Sequence, residues 1–123
     1  MQKTIEKENY LKTLYKLEEK SQLATVTSLA NHFKVSKSTV SNMIKKLMLM
    51  KLVDSGPYKP ILLTKSGKKT AIKVITKHRL IELYLYEKMQ FELDEVHEIA
   101  EEIEHIKNIK FFKRMQKILG HKN

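Results

Sequence analysis

The chain has no cysteine and no tryptophan, and only three glycines and two prolines in 123 residues. Without cysteine there is no disulfide framework and no thiolate metal site, so any metal chemistry must rest on imidazole and carboxylate. There is no low-complexity segment and no internal repeat. No apolar run approaches the roughly 20 residues that a membrane span requires. Met1-Gln2-Lys3-Thr4 leads straight into charged residues, which is not the pattern of a signal peptide. A cytoplasmic protein without membrane contact is the expectation. At this length the chain is one compact unit or two small subdomains sharing a core. A hydrophobic content of 41% is enough to fold without covalent staples.

Acidic residues are also in short supply. Fourteen of them face 24 Lys and Arg, for a formal net charge of +10 and a pI near 9.7. Such a balance suggests a polyanionic partner. Residues 1–64 carry eleven lysines and five acids, a net of +6. Residues 65–123 carry thirteen basic residues and nine acids, a net of +4, and seven of those acids lie between Glu92 and Glu104. The first half is therefore the expected nucleic-acid face, and the second holds a patch that attracts cations.

That patch is Asp94-Glu95-Val96-His97-Glu98-Ile99-Ala100-Glu101-Glu102-Ile103-Glu104-His105-Ile106, with two of the five histidines and no Lys or Arg. Asp94 is placed to cap a helix whose positive end suits Glu95 and Glu98. At about 100° per residue, His97, Glu101, Glu104 and His105 fall within roughly 100° of one another. Val96, Ile99, Ile103 and Ile106 form the opposite, apolar face. Imidazole nitrogen and carboxylate oxygen together are the donors that borderline divalent metals take. In isolation the same helix reads more readily as a solvated acidic face with two incidental histidines.

Upstream, residues 4–20 have apolar residues at helical spacing (Ile5, Tyr10, Leu11, Leu14, Tyr15, Leu17), and Ser21-Gln22 ends the run. Residues 25–51 predict a helix-turn-helix. Thr27 serves as N-cap of a short helix carrying Leu29, Ala30 and Phe33. Lys34-Val35 makes the turn, and Ser36 caps a second helix. Small Ala30 lets the helices approach, and Val35 plugs the turn. The second helix buries Val40, Met43, Ile44 and Leu47, and shows Lys37, Ser38, Thr39, Ser41, Asn42 and Lys45 outward. Hydroxyls and an amide suit base edges, and lysines suit phosphates, as a helix in a major groove requires. Leu52–Ser55 and Ile61–Thr64 read as strands around Gly56-Pro57-Tyr58-Lys59-Pro60, a wing with Lys59 at its tip. A long helix follows from Thr64-Lys65-Ser66-Gly67 to about Met89. Its apolar residues (Ile72, Val74, Ile75, Leu80, Ile81, Leu83, Leu85) are spread widely enough to pack on two sides. Within it His78 and Glu82 are four apart, on one face. Residues 108–119 form a last amphipathic helix that Gly120 ends. Its apolar residues, with those of the long helix, suggest homodimerisation, and a two-fold dimer matches palindromic DNA.

With these pieces in place the chain resembles the diphtheria toxin repressor / manganese transport regulator family of metal-dependent transcription factors, from Glu8 to about Gly120. The likeness rests on Glu8-Asn9-Tyr10-Leu11-Lys12, on the helix-turn-helix with its Thr39-Val40-Ser41 core, and on Leu63-Thr64-x-x-Gly67. It rests further on Lys77-His78-Arg79-Leu80-Ile81-Glu82 and on Val96-His97-Glu98-x-Ala100-Glu101-x-x-Glu104-His105. The fold implied is mainly α: a winged helix-turn-helix DNA-binding domain, residues 1–64, then a helical metal-binding and dimerisation domain, residues 65–123. The function implied is a homodimeric repressor of metal-uptake genes on a palindromic double-stranded operator. Carried over position by position, the primary metal ligands are Asn9, His78, Glu101, Glu104 and His105. Glu82 and His97, with His78, fall where some members build an ancillary site, and His78 cannot freely serve both. DNA contacts are expected from Ser36, Lys37, Ser38, Thr39, Ser41, Asn42, Lys45 and Lys59. Glu101 stands where iron-responsive members place a Cys, which favours Mn²⁺ over Fe²⁺. Two positions depart from the pattern. Asn9 replaces a carboxylate or Met, and Lys12 replaces a second carboxylate of the manganese regulators. Longer members continue into an SH3-like domain, so the chain is a short member or a fragment. The alternatives are a winged-helix regulator that has lost metal sensing and, from another class, a small metallohydrolase.

Overall fold

The computed structural model describes residues 7–120. Residues 4–6 of the expected first helix, including Ile5, lie outside them, as does His121. Six helices and two short strands occur among the described residues: α1 (Lys7–Glu19), α2 (Val26–Phe33), α3 (Lys37–Leu49), β1 (Val53–Asp54), β2 (Leu62–Leu63), α4 (Lys65–Glu87), α5 (Leu93–Ile103) and α6 (Ile109–Leu119). The chain divides into two compact units. The first ends at Lys73 and the second begins at Val74, within α4.

In the first unit the spacing of apolar residues sets each buried stripe. Tyr10, Leu11 and Leu14 of α1, Leu29 and Ala30 of α2, and Val40, Ile44 and Leu47 of α3 share one core with Ala24, Leu52, Val53, Ile61, Leu63 and Ala71. Each large side chain among them contributes about 1.5–3 kcal/mol by leaving water. The α2 cap is Thr25, not the expected Thr27. Thr25 Oγ1 accepts from Ser28 N–H at 3.0 Å, and Ser28 Oγ accepts from Thr25 N–H at 2.9 Å. This reciprocal pair satisfies two orphan amides, which Thr27 could not do from inside the first turn. Ser36 caps α3 as expected, accepting from Thr39 N–H at 3.1 Å.

With glycine scarce, left-handed corners fall to other residues. Ser21, Lys34, Lys51, Tyr58 and Gln90 all have positive φ, at 56°, 58°, 62°, 61° and 57°. Lys34 bends the chain from α2 into α3. Lys51 follows α3, where Leu52 N–H closes back on Leu47 C=O at 3.0 Å, the Schellman pattern that usually carries glycine.

The wing is shorter than expected. Only Val53↔Leu63 and Asp54↔Leu62 pair, antiparallel. Pro57 and Pro60 lack amide donors, so the ladder does not extend into the loop. A carboxylate helps to hold its base: Glu18 of α1 accepts from Leu63 N–H at 2.8 Å and lies 3.7 Å from Lys68 Nζ. Thr64 Oγ1 donates to Lys51 C=O at 2.7 Å and accepts from Gly67 N–H at 3.0 Å. A Cβ at Gly67 would sit 1.9 Å from Leu52 O. Glycine is required there because backbone meets backbone.

In the second unit Ile81 and Leu85 of α4, Val96 and Ala100 of α5 and Met115 of α6 form a separate core, with Leu80, Tyr84, Phe91, Ile99, Ile103 and Phe112 against it. Helix α5 departs from expectation at both ends. Glu92, not Asp94, is the N-cap residue, and the Glu95 carboxylate accepts from Glu92 N–H at 3.0 Å. The helix ends at Ile103, so Glu104 is the C-cap and His105 lies in the turn beyond it rather than on the helix. Asn108 then caps α6, its Oδ1 accepting from Lys110 and Phe111 N–H at 2.9 and 3.3 Å, and Gly120 closes it in the left-handed region. Several large apolar residues of this unit remain exposed: Ile109, Phe111 and Ile118 on α6, and Leu83 and Tyr86 on α4.

Candidate metal centre and nucleic-acid interface

One turn of α4 puts His78 and Glu82 on the same face, and α5 brings His97 up to them. His78 is the only buried polar or charged residue among those described. Its Nε2 lies 3.2 Å from Glu82 Oε2 and 3.4 Å from His97 Nδ1. His97 Nδ1 is in turn 3.3 Å from Glu82 Oε2. The three ligand atoms lie within 4.8 Å of one another. Their separations of 3.2, 3.4 and 3.3 Å are close to the distance between adjacent ligands of a first-row divalent ion that stand about 2.0–2.2 Å from it.

Two more carboxylates flank this trio. Glu104 Oε2 is 2.7 Å from His78 Nδ1, with both side chains nearly buried. Glu101 Oε1 is 3.1 Å from His97 Nε2, in a more open position. The proton count is informative. A carboxylate only accepts, so Nδ1 of His78 carries the hydrogen and donates to Glu104. In the uncharged tautomer that gives Nδ1–H to Glu104, Nε2 of His78 presents a lone pair toward Glu82. His97 has one N–H to give, and it can satisfy either the Glu82/His78 pair or Glu101, not both. Two neutral imidazoles therefore leave at least one lone pair facing a carboxylate. An added positive charge resolves this, and the donor set of two imidazoles and a carboxylate suits a borderline divalent cation. A carboxylate on the far nitrogen of His78 also fixes the ring's tautomer and orientation, as outer partners of metal-binding histidines do.

The remaining sequence-derived candidates are placed as follows. Glu101 and Glu104 join the cluster through His97 and His78. His105 is exposed in the turn after α5, and no hydrogen bond or ion pair reaches its ring among the described residues. Asn9 is half-buried in the first turn of α1, in the first unit, and Lys12 is half-buried one turn further on.

On α3, Lys37, Ser38, Thr39, Asn42 and Lys45 are exposed, as is Ser36 before it, while Ser41 is half-buried. Ser36 Oγ lies 3.1 Å from Ser38 Oγ and 2.8 Å from Thr39 Oγ1. The three hydroxyls form one polar knot over the helix N-terminus, where orphan amides and the helix dipole favour an anion. Lys37, Asn42 and Lys45 have no polar side-chain partner among the described residues. Lys59 is exposed at the wing tip, beside the fully exposed Tyr58.

Comparison with known proteins gives two family models that together span nearly the whole chain. Residues 3–61 match the N-terminal DNA-binding domain of iron-dependent repressors. Residues 64–123 match the metal-binding and dimerisation domain of the same repressors. An uncharacterised helix-turn-helix transcriptional regulator of Methanocaldococcus jannaschii is 31% identical over 110 residues, 89% of this chain and 88% of that protein. The diphtheria toxin repressor of Corynebacterium glutamicum is 30% identical over 112 residues, covering 91% of this chain and 49% of the repressor. The chain thus spans about half the length of that relative. The solved structure of the manganese regulator SloR superposes with a TM-score of 0.81 at 38% identity, over 99% of this chain and 56% of that one. Neither family model describes a hydrolase.

Proposed function

Because the chain belongs to the diphtheria toxin repressor / manganese transport regulator family of iron- and manganese-dependent repressors, we propose that it is a metal-dependent DNA-binding transcriptional regulator, a repressor of metal-uptake genes. It acts in the cytoplasm, as a homodimer on a palindromic double-stranded operator. One observation carries this reading: the convergence of His78 Nε2, His97 Nδ1 and a Glu82 oxygen within 4.8 Å, in a chain that also carries an exposed basic helix of a helix-turn-helix.

Mn²⁺ is the proposed effector, with Fe²⁺ the alternative. His78, Glu82 and His97 would hold one ion. Glu101, Glu104 and His105, with Asn9 from α1, are the proposed primary set, with His78 on the border of both. Nδ1 of His78 is committed to Glu104, so Nε2 is the atom it offers. A bound divalent cation supplies positive charge that offsets the crowded carboxylates and cross-links their helices. Glu104 steadies the His78 ring, and Glu101 steadies His97. The DNA contacts proposed are Ser36, Lys37, Ser38, Thr39, Ser41, Asn42 and Lys45, with Lys59 from the wing. Residues 1–64 form the DNA-binding part and residues 65–123 the metal-binding and dimerisation part. The exposed Ile109, Phe111 and Ile118 support a self-association surface. Metal and DNA affinities are coupled reciprocally, so operator DNA tightens metal binding by the factor by which metal tightens DNA binding.

The test is fluorescence anisotropy on a duplex from the gene's own upstream region, at fixed ionic strength, with Mn²⁺ or with chelator. Tighter binding with Mn²⁺, abolished by His97→Ala or His105→Ala, is expected. The neutral Asn9 and the cationic Lys12 favour one rival, a regulator without metal sensing. Equal binding in both series would establish that rival.

A further inference from the structure

Helix α5 ends without any cation of its own. Its last turn has no basic residue, while Glu101, Glu102 and Glu104 crowd the same end. The carbonyls of a helix C-terminus carry partial negative charge and lack intrahelical partners. The missing cation comes from α4. Lys77 Nζ donates to Glu104 C=O at 2.7 Å and to Ile106 C=O at 3.4 Å, and it lies over the Phe112 ring at 4.4 Å from the centroid. One ammonium therefore grips the carbonyls on either side of His105. The carbonyl it holds most closely belongs to Glu104, whose carboxylate steadies His78.

We propose that Lys77 is a positioning residue for the metal centre. It fixes the 104–106 turn, and so sets where Glu104 and His105 present their side chains. The inference rests on the metal-binding reading above and adds to it a residue that touches none of the donor atoms. Phe112 is part of the device, because its ring face supplies the third side of the ammonium's seat.

The sign of the effect separates positioning from simple charge. A cation near a metal site repels the metal, so removing Lys77 would tighten metal binding if charge were all it contributed. If it holds the turn, its removal loosens the site and weakens binding. The experiment is isothermal titration of the full chain with Mn²⁺ alone, on wild type, Lys77→Met, Lys77→Arg and Phe112→Leu. The Mn²⁺ electron paramagnetic resonance spectrum and amide hydrogen exchange of the metal-free proteins serve as second readouts. Lys77→Met should weaken Mn²⁺ binding about tenfold, broaden the bound-Mn²⁺ spectrum and speed exchange in residues 104–108. Lys77→Arg, which keeps donors and charge, should restore most of the affinity, and Phe112→Leu should show a smaller loss in the same direction. Unchanged or tighter binding by Lys77→Met, with wild type binding normally, overturns the proposal alone. No Mn²⁺ binding by wild type overturns the metal reading, and this inference with it.

Discussion

Tyr10→Phe should make the protein more stable, although it deletes a polar group from a helix that carries a proposed ligand. Tyr10 is 1% exposed in the core of the first unit, its ring 4.5 Å from that of Phe33. Its hydroxyl is the one buried side-chain polar atom without a hydrogen-bond partner among the described residues. Leaving such a group dry costs about 1–3 kcal/mol. Phenylalanine keeps the ring and its contacts and removes only the oxygen. Loss of some packing around that atom offsets part of the benefit, so a net gain of about 1 kcal/mol is expected. In urea unfolding followed by circular dichroism, that raises the midpoint by roughly 0.5 M with an unchanged slope. There is a pH signature too. Burial pushes the Tyr10 hydroxyl up from its ordinary value of 10.0. The folded state therefore holds the proton more tightly than the unfolded chain. The corresponding stability is complete below pH 10 and is lost as pH rises through the folded value, at up to about 1.4 kcal/mol per pH unit. The gap between variant and wild type should widen above pH 10. A Tyr10→Phe protein less stable by 1 kcal/mol or more, with the same slope, would refute the reasoning, because the hydroxyl would then have to possess a partner.

Gly67→Ala should cost about 3 kcal/mol or more, the upper end for overpacking, or prevent folding, because its Cβ would fall 1.9 Å from the Leu52 carbonyl oxygen. Thermal unfolding would measure it, and a loss below about 1 kcal/mol would mean that α4 and the wing base can separate easily. Glu18→Ala should cost about 2 kcal/mol by orphaning the half-buried Leu63 amide, while Glu18→Gln, which still accepts, should cost less. Hydrogen exchange at Leu63 would rise in the first variant and change little in the second.

Much of this architecture is legible in the sequence because the signals are local. Apolar spacing identifies the helices, Ser36 and Gly120 mark ends that the structure keeps, and His78 and Glu82 share a face by helical geometry alone. Other features depend on which of several possible partners, near or far along the chain, is engaged. Thr27 has the residue type of a cap, yet the Ser28 hydroxyl pairs with Thr25 and sets the helix start there. Asp94 is the better capping residue by type, yet the Glu95 carboxylate reaches back to the amide of Glu92. The end of α5 is the most consequential case. No glycine or proline marks it, and the ammonium that holds its last carbonyls stands 27 residues earlier. Hence the expectation that places His105 on a helical face misses the turn. The orientation of His78, with Glu104 on one nitrogen and the Glu82/His97 pair on the other, is likewise a product of packing between helices.

The scarcity of glycine bears on electrostatics as well as on backbone geometry. A left-handed residue other than glycine costs roughly 1 kcal/mol. The cost is softened because a side chain restricts the unfolded chain more than glycine does. At two such corners the occupant is lysine: Lys34 before the second helix of the helix-turn-helix and Lys51 after it, both exposed. Glycine would turn the chain there more comfortably and leave the corner neutral. With lysine, both ends of that helix are bracketed by fixed positive charge, anchored to tightly bent backbone rather than to loose loops. The bends that close the fold thus also shape the potential around its most polar helix.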